Sequence, residues 1–235
     1  MSLPYFYFAT LARQVDEFVL DENSSRHIVQ VLRMKSGETL KLTDGKGLSA
    51  VATIHDSNKK RCIVHITEKQ IRQSPSRRVH IALSLLKNSS RFEWFLEKAS
   101  ELGVDEITPL KCARTEKQQF RMERMHSILE SALIQSQQVW MPVLKEPQPF
   151  DSWVEKVQAD QKFIAHCEPG NKKKLTEFAD ANFSNQLILI GPEGDFSELE
   201  IRLAGQAGFI AVELGENRLR SETAAVAAAA VMKLY

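Results

Sequence analysis

The chain of 235 residues has no apolar run near the roughly 20 residues that a membrane-crossing helix needs. Its start, MSLPYFYFATLARQVDEF, lacks a basic beginning and an apolar core, so it does not read as a secretory signal. Cysteine is scarce and unpatterned. Cys62, Cys112 and Cys167 are odd in number, far apart and form no CxxC pair. That excludes a disulfide framework, fits a reduced cytoplasmic setting, and makes all three small core residues. The six histidines form no HxxxH and no Cys/His cluster, so no metal site is expected. An excess of one charge is missing too: 31 Lys and Arg stand against 30 Asp and Glu, and a net charge of +1 names no partner. There is no GxGxxG and no GK[ST], which leaves a Rossmann dinucleotide site and a P-loop without support.

What charge there is has a local pattern. Between Lys59 and Arg78 lie seven basic residues (Lys59, Lys60, Arg61, Lys69, Arg72, Arg77 and Arg78) and one acid, Glu68. A solvated strand face and a patch facing a polyanion both fit that run.

Residues 1–73 read as a small β-barrel. TLKL and SAVATIH, joined by the turn TDGKG, and then RCIVHITEKQI have alternating, β-branched patterns. One helix, SSRHIVQVLRM, interrupts them, with Ile28, Val31 and Leu32 on one stripe and KSG as its end. QSPS, Gln73 to Ser76, is the linker. From 77 to 235 the rhythm changes. RRVHIALSLL, VDEITPLKC, KFIAHC, LILI and FIAVELG read as strands. Between and after them come the helices SSRFEWFLEKASELG, FRMERMHSILESALIQSQQ, FSELEIRLAGQAG and SETAAVAAAAVMKLY. Alternation of this kind predicts an α/β domain whose parallel sheet is covered on both faces.

Two stretches interrupt that domain in the same way. LILIGPEGDFSELE, Leu187 to Glu200, runs from a buried strand into a bare, rigid loop and then a helix. VELGENRLRSETAAVAAAAVM, from Val212, repeats the plan with different residues. In open parallel sheets ligands bind outside the carboxyl ends of the strands, where such loops lie. Gly191 and Gly194 allow close approach to the backbone, and Pro192 fixes the path between them. Ser197 and Glu200 have capping-box spacing, so the helix amides are already used and a phosphate site is disfavoured. A pocket between the two loops, at adjacent strand ends, would suit a small ligand such as a nucleoside. A turn of purely structural purpose also fits GPEG taken alone, and Arg220 and Glu222 are spaced to pair with each other.

LILIGPEGDFSELEI and LGENRLRSETA, in this order and spacing, resemble the cofactor-binding motifs of the bacterial 16S ribosomal RNA (uridine N3) methyltransferases of the SPOUT superfamily. RHIVQVLRMKSGETLKLTDGKG is similar to that family's N-terminal PUA-like RNA-binding domain, and FEWFLEKASELGVDEITPL to the opening of its methyltransferase domain. The resemblance implies a PUA-like β-barrel over 1–73. It also implies a SPOUT domain over 77–235, with a parallel sheet and a deep trefoil knot, working as a homodimer in the cytoplasm without metal. It implies S-adenosylmethionine held by Ile190, Gly191, Glu193, Gly194, Leu214, Gly215, Leu219 and Arg220. The implied substrate is one uridine near the 3′ end of 16S rRNA, in the decoding region of the assembled 30S subunit. Arg26, His27, Arg33, Lys59, Lys60 and Arg61 are the implied RNA contacts.

Uracil N3–H must lose its proton before N3 can attack a methyl group, and the charge then spreads onto O2 and O4. Arg220 is the candidate to stabilise that charge and Glu222 to take the proton, with Glu193 a weaker candidate. Neighbouring readings are a SPOUT ribose 2′-O-methyltransferase and a non-catalytic RNA-binding assembly factor. The chain departs from the family at Tyr5, at Ile134 to Gln138, at Cys112 to Thr115 and at Asp195 of GPEGD. Those departures bear on RNA-facing and dimer-facing detail more than on the cofactor loops.

Overall fold

The computed structural model describes residues 3–11, 16–116, 119–178 and 183–234. They form two compact units, one of residues up to Ser74 together with Leu133–Met141, the other of Pro75–Ala132 and Pro142 onward.

The first unit contains β1 (Tyr5–Tyr7), β2 (Glu17–Val19), α1 (Glu22–Arg26) with a wider π turn over His27–Val31, β3 (Thr39–Thr43), β4 (Leu48–Asp56) and β5 (Ile63–Ile71). They build one sheet in the order β1-β3-β4-β5-β2, curled into a half-barrel. Alternation does the sorting: Leu48, Ala50, Ala52 and Ile54 of β4 all point into the core, against Leu40, Leu42 and Val64. The TDGKG turn is fixed by Asp44, whose Oδ1 accepts from the Lys46 and Leu48 N–H groups at 2.7 and 2.9 Å. Gly47 has φ +98°, and a Cβ there would stand 2.8 Å from the Arg72 carbonyl, so only glycine fits.

The helix near the start differs from its expected stripe. Ile28 is fully buried, but Val31 and Leu32 are 64% and 41% exposed, and Met34 is buried in their place. The cause is the wide turn. Leu32 N–H donates to His27, five residues back, and Met34 N–H to Ile28 across Arg33, which has φ +56°. The 3.6-residue period that would align 28, 31 and 32 is lost there.

Leu133–Met141 belongs to this unit through main-chain bonds. Gly47 N–H donates to the Val139 carbonyl at 2.8 Å and Met141 N–H to the Gly45 carbonyl at 2.9 Å. Tyr5 Oη donates to the Gln138 carbonyl at 2.9 Å, so two of the family departures meet each other. Burial raises the Tyr5 phenol above its ordinary pKa, which keeps it a donor.

The second unit follows in chain order: β6 (Arg78–Ser84), α2 (Ser89–Glu101), β7 (Glu106–Lys111), α3 (Met122–Gln135, which belongs to this unit as far as Ala132), β8 (Val143–Leu144), β9 (Gln148–Pro149), α4 (Phe150–Val154), β10 (Gln161–Ala165), β11 (Lys173–Lys174), a 3-10 turn (Leu175–Phe178), β12 (Asn185–Ile190), α5 (Glu198–Gln206), β13 (Ile210–Glu213) and α6 (Ser221–Leu234). The sheet order is β11-β13-β10-β12-β6-β7-β8, with β9 beside β7, and its pairings are parallel. Leu187 to Ile190 are all buried, as a strand covered on both faces requires. Leu187 and Leu189 face a core with Phe150, Val154, Phe196 and Ala204 of the α4 and α5 side, while α6 packs on β6, β12 and α2. The buried positions of α6, from Ser221 and Glu222 through Ala225, Ala228, Ala229 and Met232, make one stripe inside this chain.

His80 on β6 is buried against Thr108, with Nε2 and Oγ1 2.8 Å apart. Burial pushes its pKa down to about 3. The imidazole is therefore neutral at pH 7, and its 3.7 Å approach to Glu106 is not an ion pair there.

Candidate active site

The carboxyl ends of β10, β12 and β13 surround a cavity of about 600 Å³. The two glycine-bearing loops do not leave neighbouring strands as expected, because β10 lies between β12 and β13. Its end therefore supplies a third wall, Ala165, His166, Cys167 and Lys172. The strand stops at Ala165, so His166 and Cys167 belong to the loop. Cys62 and Cys112 are buried, but Cys167 is exposed and lines the cavity, which corrects its placement in the core. The signal was present in the sequence: KFIAHC is an apolar strand running into polar residues, the same plan as LILI running into GPEG.

The loop after β12 is held by many bonds. Asp195 N–H donates to the Pro192 carbonyl at 2.9 Å. Asp195 occupies the left-handed region at φ +64°, a conformation that aspartate tolerates better than most residues. Its carboxylate accepts from the Cys167 N–H at 2.7 Å and the Phe196 N–H at 2.8 Å, which ties this loop to the end of β10. Gly191 lies against Phe196, where a Cβ would come within 3.1 Å of both ring and backbone. Glu193 accepts from Lys87 N–H at 3.1 Å. Beyond the loop, Ser197 and Glu200 close the capping box, and buried Glu200 also accepts from Ala113 N–H at 2.8 Å. Arg114 donates to the carbonyls of Gly194 and Phe196 at 2.7 and 3.3 Å. The CART departure is thus a brace for the GPEGD loop.

The loop after β13 is open. Gly215 takes φ +149° with nothing near the position of a Cβ. Glu216, Asn217, Arg218 and Arg220 are exposed, and among the described residues the first three make no side-chain hydrogen bond or ion pair.

Of the residues expected to hold a cofactor, Ile190, Gly191, Glu193, Leu214, Gly215, Leu219 and Arg220 all line the first cavity, while Gly194 stands behind it under Arg114. Glu222 lines instead a second cavity of about 320 Å³, with Ser90, Arg91, Trp94, Arg220 and Thr223. Arg91 and Arg220 line both. The ion pair of Glu222 is with Arg91, Oε1 to Nε 3.6 Å, and not with Arg220. Its Oε2 is buried with no hydrogen-bond partner among the described residues, as is His166 Nδ1. Burial and the Lys172 charge hold the His166 pKa below its usual value, so the ring is neutral at pH 7. Arg91 and His166 are functional candidates that the sequence did not single out. Arg91 had a signal in NSSR, a helix start directly after a strand, with Asn88 as its cap.

In the first unit Arg26, His27, Arg33, Lys59, Lys60 and Arg61 are all exposed. Ser25 Oγ accepts from Cys62 N–H at 2.9 Å, which brings Arg61 near Arg26. Arg26 is paired with Glu22 at 2.8 Å. Among the described residues no group of His, Cys, Asp and Glu is placed to hold a metal, and no helix is long and apolar enough to cross a membrane.

An RNA methyltransferase domain family matches residues 72–233, more than half of the chain, and an RNA methyltransferase PUA domain matches residues 20–67. A ribosomal RNA small subunit methyltransferase E of Buchnera aphidicola (from Acyrthosiphon pisum) is 32% identical, over 90% of this chain and 85% of its own. The chain belongs to the ribosomal RNA small subunit methyltransferase E family. Two solved structures extend that likeness to the fold. A family member from Neisseria gonorrhoeae, bound to S-adenosyl methionine, superposes with a TM-score of 0.84 at 28% identity, covering 99% of this chain and 98% of its own. A probable rRNA-methyltransferase from Porphyromonas gingivalis superposes with a TM-score of 0.88 at 35% identity, covering 99% of each chain. Membership in the family makes the chain an rRNA methyltransferase. The cavity described above lies wholly within the segment that the methyltransferase domain family matches.

Proposed function

We propose that this protein transfers a methyl group from S-adenosylmethionine to N3 of one uridine near the 3′ end of 16S rRNA, in the decoding region of the assembled 30S subunit. The observation that carries the reading is the pair of cavities sharing Arg220, one beside the glycine loops and one beside a buried, half-paired carboxylate. The first cavity fits the cofactor chemically. It offers backbone at Gly191 and Gly215, apolar walls at Ile190 and Leu219, and polar side chains at Glu193, Glu216 and Asn217. Ile190, Gly191, Glu193, Leu214, Gly215, Leu219 and Arg220 would hold it, with Gly194 keeping the loop's shape.

When bound, the cofactor supplies a sulfonium methyl whose C–S bond breaks as the N3–C bond forms, the electron pair passing to sulfur. The protein's part is position and charge. Glu222 takes the N3 proton, which leaves the lone pair on nitrogen free to attack. Arg220 stabilises the negative charge that spreads onto O2 and O4. Arg26, His27, Arg33, Lys59, Lys60 and Arg61 hold RNA backbone by charge and shape. The same proposal includes cytoplasmic action, the trefoil knot of the family and a homodimer.

The test uses purified protein, methyl-labelled S-adenosylmethionine and small subunits from cells lacking the modification. Digestion of the 16S rRNA should place the label on N3 of a single uridine near its 3′ end. Label on a ribose 2′-oxygen, or none, contradicts the proposal.

A further inference from the structure

The second cavity is not needed to hold the cofactor, and its lining is of a different kind. Three features of it converge. Glu222 is only 7% exposed, and while Oε1 faces Arg91, Oε2 has no partner among the described residues. A buried carboxylate oxygen is costly to leave unpaired, so Glu222, which lines the cavity, has an unmet need for a donor that a ligand reaching Oε2 would satisfy. Arg91 and Arg220, the two residues shared with the first cavity, are cationic donors in the same lining. Trp94 is 41% exposed, whereas Phe92 and Phe95 beside it on α2 are buried, so a partly open aromatic ring is among the residues that line the cavity.

We propose that this second cavity receives the flipped uracil ring, with Trp94 as its stacking platform and Arg91 as the second donor to its carbonyl oxygens. The assignment rests on the uridine N3 reading above and adds two residues to it. The edge of uracil that carries N3 presents acceptor, donor, acceptor: O2, N3–H, O4. Its complement is donor, acceptor, donor, and Arg91, Glu222 and Arg220 supply those three groups. Cytosine presents a lone pair at N3 and an amino group at position 4, so it would set its N3 lone pair against the Glu222 carboxylate. The cavity is therefore a selectivity device as well as a seat. Enzymes that work on a flipped base read its edge by hydrogen bonds and its face by stacking, and stacking on an aromatic side chain is worth roughly 10- to 100-fold in affinity per base.

The experiment measures direct binding of undermodified small subunits to the full-length protein, single-turnover methylation at saturating cofactor, cofactor affinity by calorimetry, and mass by sedimentation. Trp94→Ala should raise the half-saturating subunit concentration roughly 10- to 100-fold and leave cofactor affinity and mass as in the wild type. Trp94→Phe should recover most of the loss. Arg91→Lys, which keeps the charge but not the planar fork, should slow the saturated single-turnover rate at a folded, cofactor-binding enzyme. If the wild type methylates uridine N3 and Trp94→Ala keeps wild-type half-saturation, the base seat is wrong and the reaction stands. If Trp94→Ala changes the sedimenting mass, Trp94 belongs to a contact between copies and the seat is again wrong. A wild type that methylates another position overturns the reaction and this assignment together.

Discussion

The loops after β12 and β13 begin alike, each with a glycine at a strand end, and are built in opposite ways. The first is braced: Arg114, Asp195, Glu193 and Glu200 all spend their hydrogen bonds on holding loop and helix start in one shape. The second has an open Gly215 and three polar side chains, Glu216 to Arg218, with no protein partner among the described residues. A loop whose polar groups are satisfied by protein is a scaffold, and a loop whose groups are left over is available to a ligand. The lesson is a division of labour. The GPEGD loop shapes one wall of the site, and on the proposed mechanism the LGENRLRSE segment would carry the chemistry.

Substitutions should fall into two classes along that division. The largest effect is expected at Glu222. Glu222→Gln should slow single-turnover methylation by about 100- to 10,000-fold, the range for loss of a general base. Raising the pH should restore part of the rate as N3 deprotonates unaided; a variant of normal turnover per folded molecule would make Glu222 a helix-start charge only. Next comes the scaffold. Glu200→Ala removes the acceptor for Ser197 and Ala113 N–H groups and should lower stability by about 2–4 kcal/mol in denaturant titration. A loss of activity without loss of stability there would break the division. Smaller effects are expected at Asp195. Asp195→Ala keeps the left-handed backbone and loses both bonds, costing about 1–3 kcal/mol, whereas Asp195→Gly relieves the backbone and should come out within about 1 kcal/mol of the parent. Equal losses for the two would show that φ at 195 is unstrained. The smallest effect is at Asn217→Ala, where stability should move by less than about 0.5 kcal/mol. A larger loss would mean that the second loop is held after all.

Much of this was legible in the sequence because it depended on local rules. Strand–helix alternation gave the parallel sheet, Ser197 and Glu200 gave the capping box, and LILI followed by GPEG marked a strand end. Other features depended on sheet order or on contacts between distant segments. KFIAHC marked a strand end, but no periodicity shows that β10 separates β12 from β13, so its place as the third wall, with His166, could not be read. Arg91 lies 131 residues before Glu222, and their meeting depends on α2 packing on α6. The exposure of Val31 and Leu32 follows from one wide turn, which propensity does not foresee. The departures at Tyr5 and within CART look like losses beside the family pattern, yet Tyr5 Oη donates to the main-chain carbonyl of Gln138 and Arg114 donates to that of Gly194.

The most direct measurement is made on Arg220→Ala, comparing cofactor affinity by calorimetry with the single-turnover rate of the cofactor-saturated enzyme. If the second loop carries the chemistry, the rate falls about 100- to 1000-fold, as for loss of one preorganised donor, and the affinity changes far less. A variant that loses the cofactor and yet, once saturated, transfers methyl at the wild-type rate would contradict the account and leave Arg220 a binding residue alone.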